Sequence, residues 1–133
     1  MKIKLAYIEE PPFYYTGEDQ SPTGADIELA EVVLRAIGVS SIEHIKTSFD
    51  EFLPGVREGR WDMNVPIFIT PGRSQLVTFS VPVLAIGDGF LVLQGNPKAL
   101  ASYESVAADR STRLALITDQ VQIESAKSAA ILQ

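Results

Sequence analysis

The stretch that most limits the possible folds is Trp61 to Arg73, WDMNVPIFITPGR, where a strand-like apolar run ends directly on a helix start. Thr70 suits the N-cap, and Pro71 the first helical position, where its missing N–H would have no intrahelical acceptor anyway. A strand that feeds a helix must cross over before it can pair again, and such crossovers join parallel strands. The same succession recurs along the chain. Lys2 to Ile8 alternates, with Ile3, Leu5 and Tyr7 on one side and Lys2, Lys4 and Ala6 on the other, which predicts a strand with one better-buried face. Asp26 to Ile37 sets Leu29, Ala30, Val33, Leu34 and Ile37 on one helical face, and Gly38 ends that helix. A short strand is expected over Ile42 to Lys46, followed by Ser48 and Glu51 at capping-box spacing. The helix they open holds Phe52, Leu53 and Val56, carries Pro54, and should end at Gly59. A helical turn over Arg73 to Val77 and a strand over Val77 to Phe79 come next, then a fully buried strand over Phe90 to Leu93. Strands alternating with helices predict an α/β fold with a central, mostly parallel sheet flanked by helices, whose ligands bind beyond the carboxyl ends of the strands.

From Asn96 the composition loosens around Pro97, Ser102 and Ser105; a strand is expected over Leu114 to Ile117. Thr118, Asp119 and Gln120 should then cap a helix with an apolar stripe of Ile123, Ala126, Ala130 and Ile131. One strand and one helix are too little for an independent core.

At 133 residues and 46% hydrophobic content the chain has ample material for a packed core. Its formal net charge of -6 argues against a general nucleic-acid binder, which needs excess Lys and Arg. Zero cysteines exclude disulfides, thiolate metal sites and cysteine nucleophiles. His44 is the only histidine, so a zinc site or a Ser-His pair has little support, and His44 is expected to be structural or solvated. No apolar run reaches bilayer length and no signal-peptide region precedes the first strand; an exported form would have lost its targeting segment.

Two places carry chemistry. At the strand-to-helix junction, unpaired backbone N–H groups and the Arg73 guanidinium together suit a small anion or carboxylate, whereas the plain alternative is a surface helix start with a solvated arginine. In the loop Glu9-Glu10-Pro11-Pro12-Phe13-Tyr14-Tyr15, two prolines stop the strand, and two acids and three aromatics crowd a connection that needs neither. Phe13 is expected to pack inward, with Tyr14 and Tyr15 lining a cleft. Phe49 reads either as a plug beneath its helix or as an aromatic wall for a ligand.

Pro11-Pro-Phe-Tyr-Tyr15, Thr23-Gly-Ala-Asp-Ile-Glu-Leu-Ala30, Ser48-Phe-Asp-Glu-Phe-Leu-Pro54, Gly59-Arg-Trp-Asp-Met63, Ile69-Thr-Pro-Gly-Arg73 and Thr78-Phe-Ser-Val-Pro82 stand in one order and spacing. Together they resemble the family 3 extracellular solute-binding proteins, the polar amino-acid receptors of bacterial ABC importers. The similarity runs from about Lys2 to Asn96, and more weakly through Gln122. The resemblance implies a type II periplasmic-binding-protein fold: a first lobe over residues 1–86, a hinge crossing over 87–95, and the first strand and helix of an incomplete second lobe over 96–133. It implies a truncated chain or a short form completed by another chain, with open edges that favour self-association.

The resemblance also implies a site. Glu10, Tyr14, Tyr15 and Phe49 would flank the ligand. Pro66, Ile67, Phe68 and Thr70 would line it, Arg73 would bind an α-carboxylate, and Asp119, Gln120, Val121 and Gln122 would come from the second lobe. Phe68 and Pro66 replace the small or hydroxylated residues usual there, which removes donors. Glu10 and Asp119 add two carboxylates, which favour a zwitterionic or cationic solute if they face the cleft and only solvate the surface if they do not. The implied function is a small-solute receptor for an ABC permease, periplasmic or extracellular, either free or membrane-tethered, with no catalytic residue, cofactor or metal. A dehydratase-like enzyme with Glu10 as general acid, or the sensing domain of a signalling receptor, are the alternatives on the same fold.

Overall fold

The structure, a computed structural model, describes residues 1–129. The chain divides into two compact units, Met1–Val81 and Pro82 onward. In unit 1 the elements are β1 (Lys2–Tyr7), β2 (Tyr15–Thr16), β3 (Pro22–Thr23), α1 (Ala25–Ala36), β4 (Ser41–Lys46), α2 (Phe49–Arg57), β5 (Met63–Asn64) and α3 (Pro71–Ser74). The sheet has the order β4-β1-β5 and both pairings are parallel, from Lys2↔Ser41 to Tyr7↔Lys46 on one side and Leu5↔Met63, Ala6↔Asn64 on the other. β2 and β3 form a separate antiparallel ladder.

Leu5, Ala6, Tyr7 and Ile8 are buried in succession. Side chains alternate across a strand, so both faces of β1 are covered here, which corrects the expectation of one better-buried face. The core gathers Ala6, Tyr7, Ile8, Tyr14, Ile27, Phe52 and Trp61, with Phe13, Ile45, Phe49, Val56, Val65 and Ile67 packed against it. Trp61 Nε1 and Asn64 Nδ2 both donate to the Phe52 carbonyl, at 3.3 and 2.6 Å, and so bind α2 to β5. A Cβ on Gly55 would stand 1.9 Å from Trp61 Cζ2; only glycine lets the indole lie this close to α2.

Several expectations need correction. The strand expected to run through Trp61 and onward to Thr70 pairs only over Met63–Asn64. Val65 N still donates to Ala6 O at 3.3 Å, but Pro66 has no N–H to continue the ladder. The buried stripe of α1 is Ile27, Ala30 and Leu34, while Leu29, Val33 and Ile37 are exposed. Both stripes satisfy a helical repeat, and only the sheet's position chooses between them.

Unit 2 contains α4 (Tyr103–Ala108) and α5 (Gln122–Ser128). The helix α4, which falls in the segment read as loose, opens on a reciprocal cap: Ser105 N donates to Ser102 Oγ at 3.2 Å and Ser102 N to Ser105 Oγ at 3.0 Å. The N-cap of α5 is Val121, without a side-chain bond, and Asp119 stands at φ 65°, so the expected cap over Thr118–Gln120 does not form. Ala130 and Ile131 of its expected stripe lie outside the described residues. The strands expected over Val77–Phe79, Phe90–Leu93 and Leu114–Ile117 are absent among the described residues. A strand exists through its hydrogen-bonded neighbour, and none of these segments has one; Leu91 and Leu93, expected to be buried, are exposed.

Candidate functional site

Parallel strands release their following loops at one end, so the chain leaving β1, β4 and β5 emerges on one rim of unit 1. The first loop is closed on itself: Glu10 N donates to Tyr14 O at 2.7 Å and Phe13 N to Glu10 O at 3.0 Å. Tyr14 is 5% exposed and belongs to the core, and its hydroxyl donates to the Glu10 carboxylate in a short hydrogen bond. Burial, and then the Glu10 carboxylate, pushes the Tyr14 phenol well above its ordinary pKa. Phe13 packs against the core as expected, half-buried, whereas Tyr14, expected to line a cleft, is itself a core residue. Pro11 and Pro12 reverse the chain immediately after β1, which turns the residue at position 14 back toward it. Tyr15 is half-buried and its backbone pairs with Thr23. Glu10 is exposed, with its carboxylate already engaged by Tyr14.

The second part of the rim joins the start of α2 to α3. Ser48 is the N-cap of α2 but makes no side-chain cap bond, and Glu51 instead forms an ion pair with Arg60, so the expected capping box is not made. A charged partner outcompetes a backbone amide for the Glu51 carboxylate. Phe49 is half-buried on the core, and the Arg73 guanidinium carbon lies 5.7 Å from its ring centroid. Arg73 Nη1 donates to the Phe68 carbonyl at 3.2 Å, and Arg73 N to Thr70 Oγ1 at 3.2 Å. Thr70 and Pro71 thus cap α3 as expected. Desolvation lowers the Arg73 pKa from its ordinary value. With only four residues, α3 carries little macrodipole, so attraction for an anion falls on the guanidinium rather than on the helix.

Thr70, Arg73, the Phe68 carbonyl and Phe49 thus form one constellation. Ile67 packs on the core, Pro66 is half-buried, and the Phe68 side chain is exposed. An open groove of about 460 Å³ on this unit is lined by Val56, Arg57, Asp62 and Ser74 to Thr78, and includes none of the expected ligand residues.

In unit 2, Gln122 begins α5, and its Nε2 donates to Asp88 Oδ1 at 2.8 Å; Asp88 Oδ2 accepts from Tyr103 Oη at 3.1 Å. Phe90 meets the Tyr103 ring edge-on at 5.1 Å between centroids. Gln120 and Val121 are half-buried and Asp119 is exposed. Asp88 was missed as a positioning group. Its only sequence signal is the Gly-Asp-Gly punctuation, which reads equally well as a turn.

The chain belongs to the bacterial extracellular solute-binding proteins, family 3, whose model matches residues 3–130. It is 32% identical over 124 residues to the probable amino-acid ABC transporter periplasmic-binding protein y4tE of Sinorhizobium fredii (strain NBRC 101917 / NGR234), covering 91% of this chain and 41% of that protein. Among solved structures it resembles an ancestral arginine-binding protein bound to arginine, with TM-score 0.82 and 25% identity over 98% of this chain and 56% of that one. It equally resembles the ancestral amino-acid-binding protein AncCDT-1, a precursor of cyclohexadienyl dehydratase, with TM-score 0.82 and 25% identity over 96% of this chain and 56% of that one. The chain therefore spans about half the length of these relatives. The α/β type II periplasmic-binding-protein fold expected from the sequence is the fold of these neighbours. Among the described residues no helix is long and apolar enough to cross a membrane.

Proposed function

We propose that this chain is the receptor component of an ABC import system, periplasmic or extracellular, which binds a small carboxylated, zwitterionic or amino-acid-like solute and presents it to a membrane permease. The observation that carries this reading is the posture of Arg73: its guanidinium sits over Phe49 and is tied to the Phe68 carbonyl, so its direction is set before any ligand arrives. A preoriented guanidinium suits the planar fork of a carboxylate. Phe49, Thr70 and Arg73 supply the anion-holding wall, and Glu10 and Tyr15 supply the rim across which a cationic or ammonium group is favoured. Asp119, Gln120, Val121 and Gln122 around the start of α5 are further ligand-binding candidates, residues 87–95 are the crossing segment, and exposed apolar side chains such as Val81 and Leu91 favour self-association.

Isothermal titration with arginine, glutamine and other amino acids tests this reading. Arg73→Ala should lower the affinity of a carboxylated solute by about 2 kcal/mol, the low end for a charge pair because the guanidinium is only half-buried. Equal affinity in the variant places the anion elsewhere. The enzyme alternative draws on the dehydratase-precursor neighbour and would use Glu10 as an acid. Glu10 already accepts the Tyr14 proton donor, and a receptor asks no proton transfer of it. Turnover of a carboxylated ring compound that disappears in Glu10→Gln would overturn the receptor reading.

A further inference from the structure

We infer that Glu9 is a positioning residue for this site: its carboxylate ties the start of the β1–β2 loop to the loop's end and to the last residue of β4, and so fixes where Glu10 and Tyr15 stand. The importance of this for binding rests on the receptor reading; the geometry does not.

Glu9 accepts from the Thr16 backbone N–H with both oxygens, at 3.1 and 3.2 Å, and from the Thr16 hydroxyl in a short hydrogen bond. Lys46 Nζ lies 2.8 Å from Glu9 Oε1. Lys46 is the ladder partner of Tyr7, and Tyr7 Oη is 3.0 Å from Thr16 Oγ1, so the contacts form a closed ring: Tyr7, Thr16, Glu9, Lys46 and back through the sheet to Tyr7. A carboxylate is suited to this place because it offers several acceptor directions at once, whereas an amide gives only one acceptor atom. Inside the ring the loop is closed a second time by the Glu10↔Tyr14 bridge. Residues 10–15 are therefore held at both ends and across the middle. The environment agrees: Lys46, then Thr16, hold the Glu9 carboxyl well below its ordinary value of 4.5, at about 2. At neutral pH the bracket is fully charged.

The adjacent Glu10 makes none of these contacts; its carboxylate turns to Tyr14. Two neighbouring acids thus have separate work. Glu9 anchors, and Glu10 is presented at the rim.

The experiment uses the chain itself, with amide hydrogen exchange followed by NMR and titration with L-arginine. Glu9→Ala should speed exchange of the Thr16 amide about tenfold, the loss of one charge-assisted hydrogen bond, while β1 and α1 amides keep their rates. Glu9→Gln should give a smaller increase, because one acceptor survives. Lys46→Met, which breaks only the ion pair, guards against a Glu9→Ala chain that fails to fold, and should also speed exchange at Thr16. If the wild-type chain binds L-arginine, affinity should fall in the same order as Thr16 protection. Unchanged exchange at Thr16 in Glu9→Ala overturns the inference, and so does faster exchange with undiminished arginine affinity. If the wild-type chain binds no amino acid, the receptor reading fails while the exchange rates still decide whether Glu9 holds the loop.

Discussion

Leu5 and Leu91 both lie in apolar, strand-like runs of one chain, yet Leu5 is fully buried in unit 1 and Leu91 fully exposed in unit 2. The difference is in neighbours rather than in the runs themselves. Leu5 lies in β1, which is paired along both edges, by β4 and by β5, and sits among buried side chains. Among the described residues Leu91 has no ladder partner, and the buried apolar side chains described in unit 2 are Val106 and Ala126. A run of apolar residues is a request for a partner, and burial follows only where the chain provides one.

Three substitutions test that contrast. The largest effect belongs to Phe52→Ala, which empties a fully buried site at the centre of unit 1 and should cost about 3–5 kcal/mol. Trp61 is the only tryptophan and lies in this core, so denaturant unfolding followed by its fluorescence reads unit 1 directly. A loss under about 1 kcal/mol would mean the core is less tightly packed than its burial implies. Gly55→Ala should come next, at about 1–3 kcal/mol, because overpacking against Trp61 outweighs the roughly 1 kcal/mol that alanine contributes to helix propensity. The indole cannot easily yield: its Nε1 is bound to Phe52 O, and the Arg60 guanidinium lies 4.9 Å from its ring. The smallest effect is expected for Leu91→Ser, within about 0.5 kcal/mol, as for an exposed position. A larger loss, with a change in sedimentation, would show that another chain covers Leu91 in solution and would narrow the contrast between the units.

Much of the scaffold was legible in the residues. Strands over Lys2 to Ile8 and Ile42 to Lys46, the termination of α1 near Gly38 and the Thr70-Pro71 helix start were expected from local chemistry and are present in outline, and the expected parallel pairing is found between β1 and β4. The two capping signals show where such reasoning ends. Ser48 and Glu51 have the usual residue types but do not bond, because Arg60 claims the glutamate; Ser102 and Ser105 have a less usual pairing and do bond. Spacing offers a bond, and competition from the surroundings decides whether it forms. In the same way the order of three aromatics in the first loop did not reveal that Tyr14, as well as Phe13, turns to the core. Its hydroxyl could be buried only because Glu10 stood ready to accept it.

Composition and periodicity alone pointed to a parallel α/β layer and away from a general polyanion binder, and residue types marked the first loop, Phe49 and Arg73 as candidates. The sequence of motifs was enough to indicate its family. Only tertiary structure decided which stripe of α1 is buried, that β5 stops before Pro66, that Arg73 rests over Phe49, and that Glu9 brackets the loop. The reason is one of range: caps, turns and repeats depend on atoms a few residues apart, whereas burial, ladder pairing and the choice among competing hydrogen-bond partners depend on groups that only folding brings together.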